Sequence, residues 1–299
     1  MEIFTELNEQ KDLSIILGFF DGIHQGHKAV ISTGVNFAKN NGLKSALITF
    51  NEAPAVFLNK KKKQYILTKS DKIKAIEKLG VDYLYLLDFN EEFSKLTASD
   101  YLKMLIENFH PKAITSGYNH YFGYNKSGNS DYLKLMQKEY GYEYLEVEPV
   151  KIKHGVVSSS KIREALLSGD IKNANYMLGY RFYIENKVIE GQQLARTLGF
   201  NTANLLFPEG IIEIPNGVYA VEVNFNDKNY IGIANYGTKP TVTNDTKKIL
   251  EVHIMNFDED IYGETIKVSF LDKIRDEKKF DSLTQLKEQI TKDIECLKL

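Results

Sequence analysis

The feature that most constrains the fold is a change in hydrophobic period part-way along the chain. In the first part, apolar runs such as Leu13–Leu17 and Tyr83–Leu87 alternate with segments of helical spacing such as 26–40. In the second part, short β-rich runs such as 218–225 and 265–270 follow one another with turn residues between them. The first pattern predicts a parallel sheet covered by helices, and the second predicts an antiparallel barrel or sandwich.

Two domains follow from this change of period. A helical stretch over 160–178 precedes the second pattern, so we predict an α/β domain over 1–180 and a β domain over 181–299. The second domain is expected to close with an amphipathic helix over 282–297. A length of 299 residues agrees with two domains of ordinary size.

Composition narrows the function and the compartment. Hydrophobic residues make up 43% of the chain and charged residues 26%, which is typical of a folded protein with a core. A formal net charge of −2 gives no bulk electrostatic reason to bind nucleic acid or a membrane, and the oligomeric state stays open. Cys296 is the single cysteine, and the acidic N-terminal stretch is not expected to be a secretion signal, which together predict a cytoplasmic protein.

A glycine-punctuated turn with two histidines follows the first apolar run. Gly18, Gly22 and Gly26 allow sharp turns and close approach of a ligand, and the helix start that follows attracts anions. His24 and His27 are three residues apart, so both imidazoles project from one face and can hydrogen-bond phosphate oxygens. The turn predicts a phosphate site, with a simple helix cap and a two-histidine zinc site as alternatives.

A second predicted helix start carries three hydroxyl groups and a guanidinium group. Ser158, Ser159 and Ser160 precede Arg163. Serines at such a position commonly cap free backbone N–H groups, whereas the planar fork of arginine suits phosphate. Capping and phosphate binding both remain open from this stretch, and its pairing with the histidine turn favours phosphate binding.

The predicted β domain contains a stretch that could hold a phosphate and a cation. Arg196 lies between Gly191 and Gly199, and Thr202 and Asn204 follow. The hydroxyl and amide oxygens of the last two are hard ligands suited to Mg²⁺. An ordinary turn remains the alternative for this stretch.

Strand alternation gives an expectation for the short β-rich run 249–255. Alternation along a strand places Glu251 and His253 on one face and Val252 on the other. A positioned carboxylate can act as a general base, although a strand glutamate is more often a solvent-facing residue.

Together these motifs resemble the nucleotidyltransferases of the His-x-Gly-His superfamily. More closely, nearly the whole chain resembles the bacterial bifunctional riboflavin kinase/FAD synthetases. The residues that carry this resemblance are 18–27, Leu67-Thr68 with Lys72, Gly117 with Phe122-Gly123, and 158–163 in the first domain, then 191–204, 217–220, 235–241, 250–257, Tyr262-Gly263, Arg275 and Phe280 in the second.

The resemblance implies a Rossmann-like nucleotidyltransferase domain followed by a six-stranded antiparallel barrel of the riboflavin kinase type. It implies ATP-dependent phosphorylation of riboflavin to FMN in the barrel and transfer of AMP from ATP to FMN, giving FAD, in the first domain. Mg²⁺ is the implied cofactor.

The resemblance also assigns roles to individual residues. In the first domain, His24, His27 and Arg163 are the implied catalytic residues, and in the barrel Glu251 is the implied general base. The implied ATP-binding residues of the first domain are Gly18, Phe19, Asp21, Gly22, Gly26, Asn119, Ser158, Ser159 and Ser160. The implied ATP- or flavin-binding residues of the barrel are Gly191, Arg196, Gly199, Thr202, Asn204 and Arg275, with Thr202 and Asn204 as ligands of Mg²⁺.

The chain departs from the family pattern at several of these positions. Ala53 and Asn119 replace a usual His and Asp in the first domain, and Ala195 and Asn201 replace a usual Gly and Pro in the second. Two alternatives to the bifunctional enzyme therefore remain. One is an enzyme that keeps only one of the two activities, and the other is an inactive flavin- or nucleotide-binding regulator.

Overall fold

The computed structural model describes residues 1–59, 64–153, 155–190, 202–240 and 246–298. Among these residues, no helix is long and apolar enough to span a membrane.

The chain forms two compact units, Met1–Ser159 and Ser160–Leu299. The domain boundary predicted after residue 180 stays a prediction. The division into compact units differs from it, because it places the helices over 160–178 in the second unit. In that unit, the Asn175 side chain donates to the Phe270 carbonyl at 2.8 Å and accepts from the Phe182 amide at 2.6 Å.

The first unit is an α/β structure. Its elements in chain order are β1 (Glu2–Phe4), β2 (Leu13–Leu17), α1 (Gln25–Asn40), β3 (Lys44–Phe50), α2 (Pro54–Asn59), α3 (Lys69–Lys78), β4 (Tyr83–Leu87), α4 (Glu91–Ser94), α5 (Ala98–Phe109), β5 (Ala113–Gly117), β6 (Tyr121–Phe122), β7 (Gly128–Asn129), α6 (Ser130–Tyr140), β8 (Glu143–Val147), β9 (Lys151–Ile152) and β10 (Gly155–Val156).

The main sheet of this unit is parallel and has the order β1-β4-β3-β2-β5-β8. The central strand β2 is buried along its whole length, because helices cover a parallel sheet on both faces. The chain runs outward from β2 through β3 and β4, and then returns to the other side of β2 as β5. The strand order therefore reverses between β2 and β5, which is where ligands bind in open α/β sheets.

The second unit is built around a closed barrel. Its elements are α7 (Ser159–Ser168), which begins at the last residue of the first unit, α8 (Ile171–Leu178), β11 (Tyr183–Ile189), β12 (Thr202–Leu206), β13 (Gly217–Phe225), β14 (Lys228–Pro240), β15 (Thr246–Ile254), β16 (Thr265–Asp276) and α9 (Leu283–Glu295). The six strands close in the order β11-β12-β15-β14-β13-β16, and all neighbouring pairs are antiparallel.

The predicted fold class is confirmed. The hydrophobic pattern of the second half left a barrel and a sandwich open, and the structure is a closed barrel. The predicted helices over 26–40 and 282–297 match α1 and α9 to within two residues. Sequence reasoning missed β8, an edge strand on which only Tyr144 is buried. It also missed β12, because the pattern of 191–204 indicates a turn, whereas Thr202 and Asn204 lie on a strand.

Candidate active sites

The histidine turn of the first unit lies where the strand order reverses. Strand β2 ends at Leu17 and α1 begins at Gln25, so the turn leaves the carboxyl end of the central strand. Strand β5 ends beside it at Gly117, and Asn119 is exposed in the turn that follows. The fold thereby brings two of the sequence-predicted motifs to one edge of the sheet.

His24 caps the first helix. Its Nδ1 atom accepts a hydrogen bond from the His27 backbone N–H at 3.2 Å. The two imidazole rings stack with centroids 3.6 Å apart, and His24 is buried. Since Nδ1 is an acceptor, the proton of the neutral ring lies on Nε2, which makes Nε2–H a donor. The observed cap is therefore compatible with the predicted phosphate site, because each uses a different nitrogen atom of the ring.

The turn before His24 contains unusual backbone angles. Phe20 has a φ of 57°, Gly22 of 83° and Ile23 of 35°. Non-glycine residues adopt such angles only when the surrounding structure holds them there. Asp21 supplies two of these restraints, because its Oδ1 accepts from the Ile66 amide at 3.0 Å and its carbonyl accepts from a serine hydroxyl described next.

Ser159 of the serine motif contacts this turn. The Ser159 hydroxyl donates to the Asp21 carbonyl at 3.0 Å, a contact within the first unit. Ser158 precedes the helix, whereas Ser160 and Arg163 lie on it, in the second compact unit.

The candidate site of the barrel lies across two neighbouring strands. In the antiparallel pair of β12 and β15, Asn204 is opposite Glu251 and Thr202 is opposite His253. The Thr202 hydroxyl donates to Glu251 Oε1 at 3.1 Å. Val252 is fully buried on the other face of the strand, which confirms the predicted alternation.

A cavity of about 150 Å³ adjoins this polar face. Its lining includes Thr202 and the buried Asn204 from β12, and the segment 257–262. Gly191, Arg196 and Gly199, with the departures Ala195 and Asn201, lie outside the described residues.

Arg275 has a structural partner. Its Nε atom donates to Asp293 Oδ1 at 3.0 Å, and its Nη2 atom donates to Asp293 Oδ2 at 2.8 Å. Gln289 also donates to the Asp293 carboxylate, at 2.9 Å. Asp293 is almost completely buried, so this bidentate pair ties α9 to the last barrel strand. A ligand contact of Arg275 stays a prediction.

The pair has a testable effect on stability. We expect Asp293→Ala to lower the free energy of unfolding by about 3 to 5 kcal/mol, because it leaves the Arg275 charge partly buried without its partner. The double variant Arg275→Met/Asp293→Leu should recover most of this loss, since no charge is then stranded. Denaturant unfolding followed by circular dichroism measures both, with the exposed Glu288→Ala on the same helix as control. Equal stability of Asp293→Ala and Glu288→Ala would contradict the assignment.

Sequence reasoning assigns no individual role to several buried charged residues, among them Lys72 and Asp293. Lys72 carries part of the family resemblance, and no motif marks Asp293. Lysine and aspartate are mostly exposed in proteins, so their burial has no local signal in the sequence. Within the described residues, no three His, Cys, Asp or Glu side chains are grouped as metal ligands.

The first unit is an α/β structure with a two-histidine turn where its strand order reverses, and the second is an antiparallel barrel with its own polar cavity. This combination defines a protein with a nucleotidyltransferase-like domain, a barrel domain and two candidate sites. Family models described as FAD synthetase and riboflavin kinase match residues 6–161 and 178–298. The chain belongs to the family of bifunctional riboflavin kinase/FMN adenylyltransferases.

Relatives of that description match nearly the whole chain. A protein of Buchnera aphidicola subsp. Schizaphis graminum is 38% identical, covering 95% of this chain and 93% of its own. One of Bacillus subtilis is 36% identical, covering 95% and 91%. A crystal structure from Streptococcus pneumoniae, described as a macrolide-efflux protein, is 33% identical with a TM-score of 0.89, covering 99% of this chain and 98% of that one.

Proposed function

We propose that this chain is an enzyme that phosphorylates riboflavin to FMN with ATP and then transfers AMP from a second ATP to FMN, giving FAD and pyrophosphate. The observation that carries this proposal is that each half of the chain has both its own family match and its own polar site. The partners are then small molecules, and the enzyme is cytoplasmic.

In the first unit, the residues act by positioning and by stabilising charge. The FMN phosphate attacks the α-phosphorus of ATP in line, and pyrophosphate leaves. His24, through its Nε2–H, and His27 hydrogen-bond the phosphate oxygens on which negative charge increases. Ser158 adds a hydroxyl donor to the triphosphate, and the roles that the family resemblance implies for Ser160 and Arg163 stay predictions.

In the barrel, Glu251 acts as the general base. It accepts the proton of the riboflavin 5′-hydroxyl as that oxygen attacks the γ-phosphorus of ATP. The Thr202 hydroxyl supports this role, because its hydrogen bond orients the Glu251 carboxylate. Thr202 and Asn204 fit Mg²⁺ by the chemistry of their oxygen atoms and by their position on the cavity, and they would hold it there. When bound, Mg²⁺ would neutralise charge on the ATP phosphates.

A chromatographic assay of flavin products tests the proposal. Purified protein is incubated with ATP and Mg²⁺, once with riboflavin and once with FMN. We expect FAD from both incubations. FAD from FMN alone would indicate that only the adenylyltransferase remains, and FMN without FAD would indicate that only the kinase remains. Tight flavin binding without any product would favour the regulator.

Gly26 offers a test of how closely the first site is packed. A Cβ atom at this position would lie 3.1 Å from Cε1 of the His24 ring, which is buried and stacked on His27. We expect Gly26→Ala to displace the ring and lower FAD formation from FMN by about tenfold to a hundredfold. Riboflavin phosphorylation by the same preparation should not change. The exposed Asn36→Ala on the same helix is the control, and equal FAD formation by both variants would contradict the expectation.

A further inference from the structure

A lysine of the first unit is buried behind the histidine turn. Lys72 lies on α3, and its side chain reaches a cavity of about 40 Å³ that Phe19 and Thr49 also line. Burial lowers the pKa of the Lys72 ammonium group to about 7, although the nearby Asp21 carboxylate opposes this shift. Among the described residues, it forms no ion pair. Burying a cation without an ionic partner costs folding free energy. We therefore ask what the hydrogen bonds of Lys72 do for the site.

Lys72 and Thr49 together hold one backbone carbonyl group. Lys72 Nζ donates to the Phe19 carbonyl at 2.5 Å and to Thr49 Oγ1 at 2.9 Å. Thr49 Oγ1 in turn donates to the same Phe19 carbonyl, also at 2.9 Å. The three groups form a closed triangle, and Nζ lies 4.3 Å from the centroid of the Phe19 ring. Phe19 is therefore held through both its carbonyl and its ring.

This triangle is placed at the start of the strained turn. Phe19 directly precedes Phe20, whose φ of 57° is the first of three positive φ angles in the turn, the others being those of Gly22 and Ile23. His24 follows immediately as the helix cap. If the Phe19 carbonyl were released, the turn could relax to ordinary backbone angles, and the cap residue would move with it.

We propose that Lys72 is a positioning residue for adenylyl transfer. Together with Thr49 it fixes the Phe19 carbonyl, and it thereby sets the conformation of the turn that presents His24 and His27. The part about adenylyl transfer rests on the proposed function of this unit. The part about the turn does not, because it concerns the geometry of the free protein.

Two variants remove the triangle in different ways. Lys72→Met keeps the length of the side chain and removes its donors. Thr49→Val keeps the shape of the side chain and removes the hydroxyl group. Lys78→Met is the matched control, since Lys78 lies on the same helix and is exposed. Each variant is measured at a temperature at which circular dichroism shows it folded, so that a loss of stability alone does not count as a loss of activity.

The first readout is kinetic. We expect Lys72→Met and Thr49→Val to lower kcat for FAD formation from FMN by about tenfold to a hundredfold, with KM for ATP changed less than about threefold. The double variant should lose little more than either single variant, because both remove the same restraint. Riboflavin phosphorylation should not change in any of them. Unchanged kcat in both folded single variants would overturn the proposal.

The second readout is spectroscopic and does not depend on activity. In ¹H–¹³C spectra the chain has only six histidines to assign. We expect the imidazole resonances of His24 and His27 to shift in Lys72→Met and Thr49→Val and to stay in place in Lys78→Met. Unshifted resonances would overturn the positioning role even if kcat fell. If the wild-type protein made no FAD, the proposed function would fail, and the resonances would still test whether Lys72 sets the turn.

Discussion

Replacement of His24 by asparagine is expected to lower FAD formation from FMN by about 100- to 1,000-fold. The choice of asparagine separates the two uses of this residue. Its side-chain oxygen can cap α1 by accepting from the His27 amide, as Nδ1 of His24 does. Asparagine lacks the ring Nε2–H, which is the donor that we assign to the ATP phosphates. The kcat for the FMN adenylylation reaction measures the effect.

His110→Asn is the matched control for this substitution. His110 is exposed at the end of α5 with a φ of 40°, a conformation that asparagine tolerates. It should leave both activities unchanged, and His24→Asn should leave riboflavin phosphorylation unchanged. Full adenylylation by His24→Asn would reduce His24 to a helix cap. If His24→Ala were then inactive, the loss would belong to the cap alone.

Replacement of Glu251 by glutamine is expected to lower riboflavin phosphorylation by about 100- to 10,000-fold. Glutamine has nearly the same shape, and its carbonyl oxygen can still accept the hydrogen bond from Thr202. It cannot take the proton of the 5′-hydroxyl group. The measurement is the rate of FMN formation from riboflavin, with FAD formation from FMN as the internal reference.

Glu222→Gln is the control in the same barrel. Glu222 is partly buried on β13 and pairs with Arg181, so its replacement disturbs a charge of the barrel away from the cavity. It should keep riboflavin phosphorylation. Equal rates of FMN formation by the two variants would contradict the assignment of Glu251 as the base.

Several features of the candidate sites could be predicted because their signals are local. His24 and His27 are close in sequence, so helical spacing alone brings their rings to one side. The common face of Glu251 and His253 follows in the same way from strand alternation. The hydrogen bond between Thr202 and Glu251 could not be predicted, because it depends on the register of two strands 49 positions apart. The strand β12 was missed since its flanking glycine and asparagine residues favour a turn.

The sequence by itself determined the class of both halves, the order of most elements and the positions of the histidine turn and the serine motif. Hydrophobic period and glycine placement are properties of short segments, and they act before any long-range contact forms. Only the tertiary structure decided which side of β2 receives β5, and hence that the histidine turn lies at a switch point. It also decided that Lys72 is buried against Phe19 and that Arg275 is paired with Asp293. These contacts join residues far apart in the chain, and their energies depend on desolvation, which only the packed fold imposes.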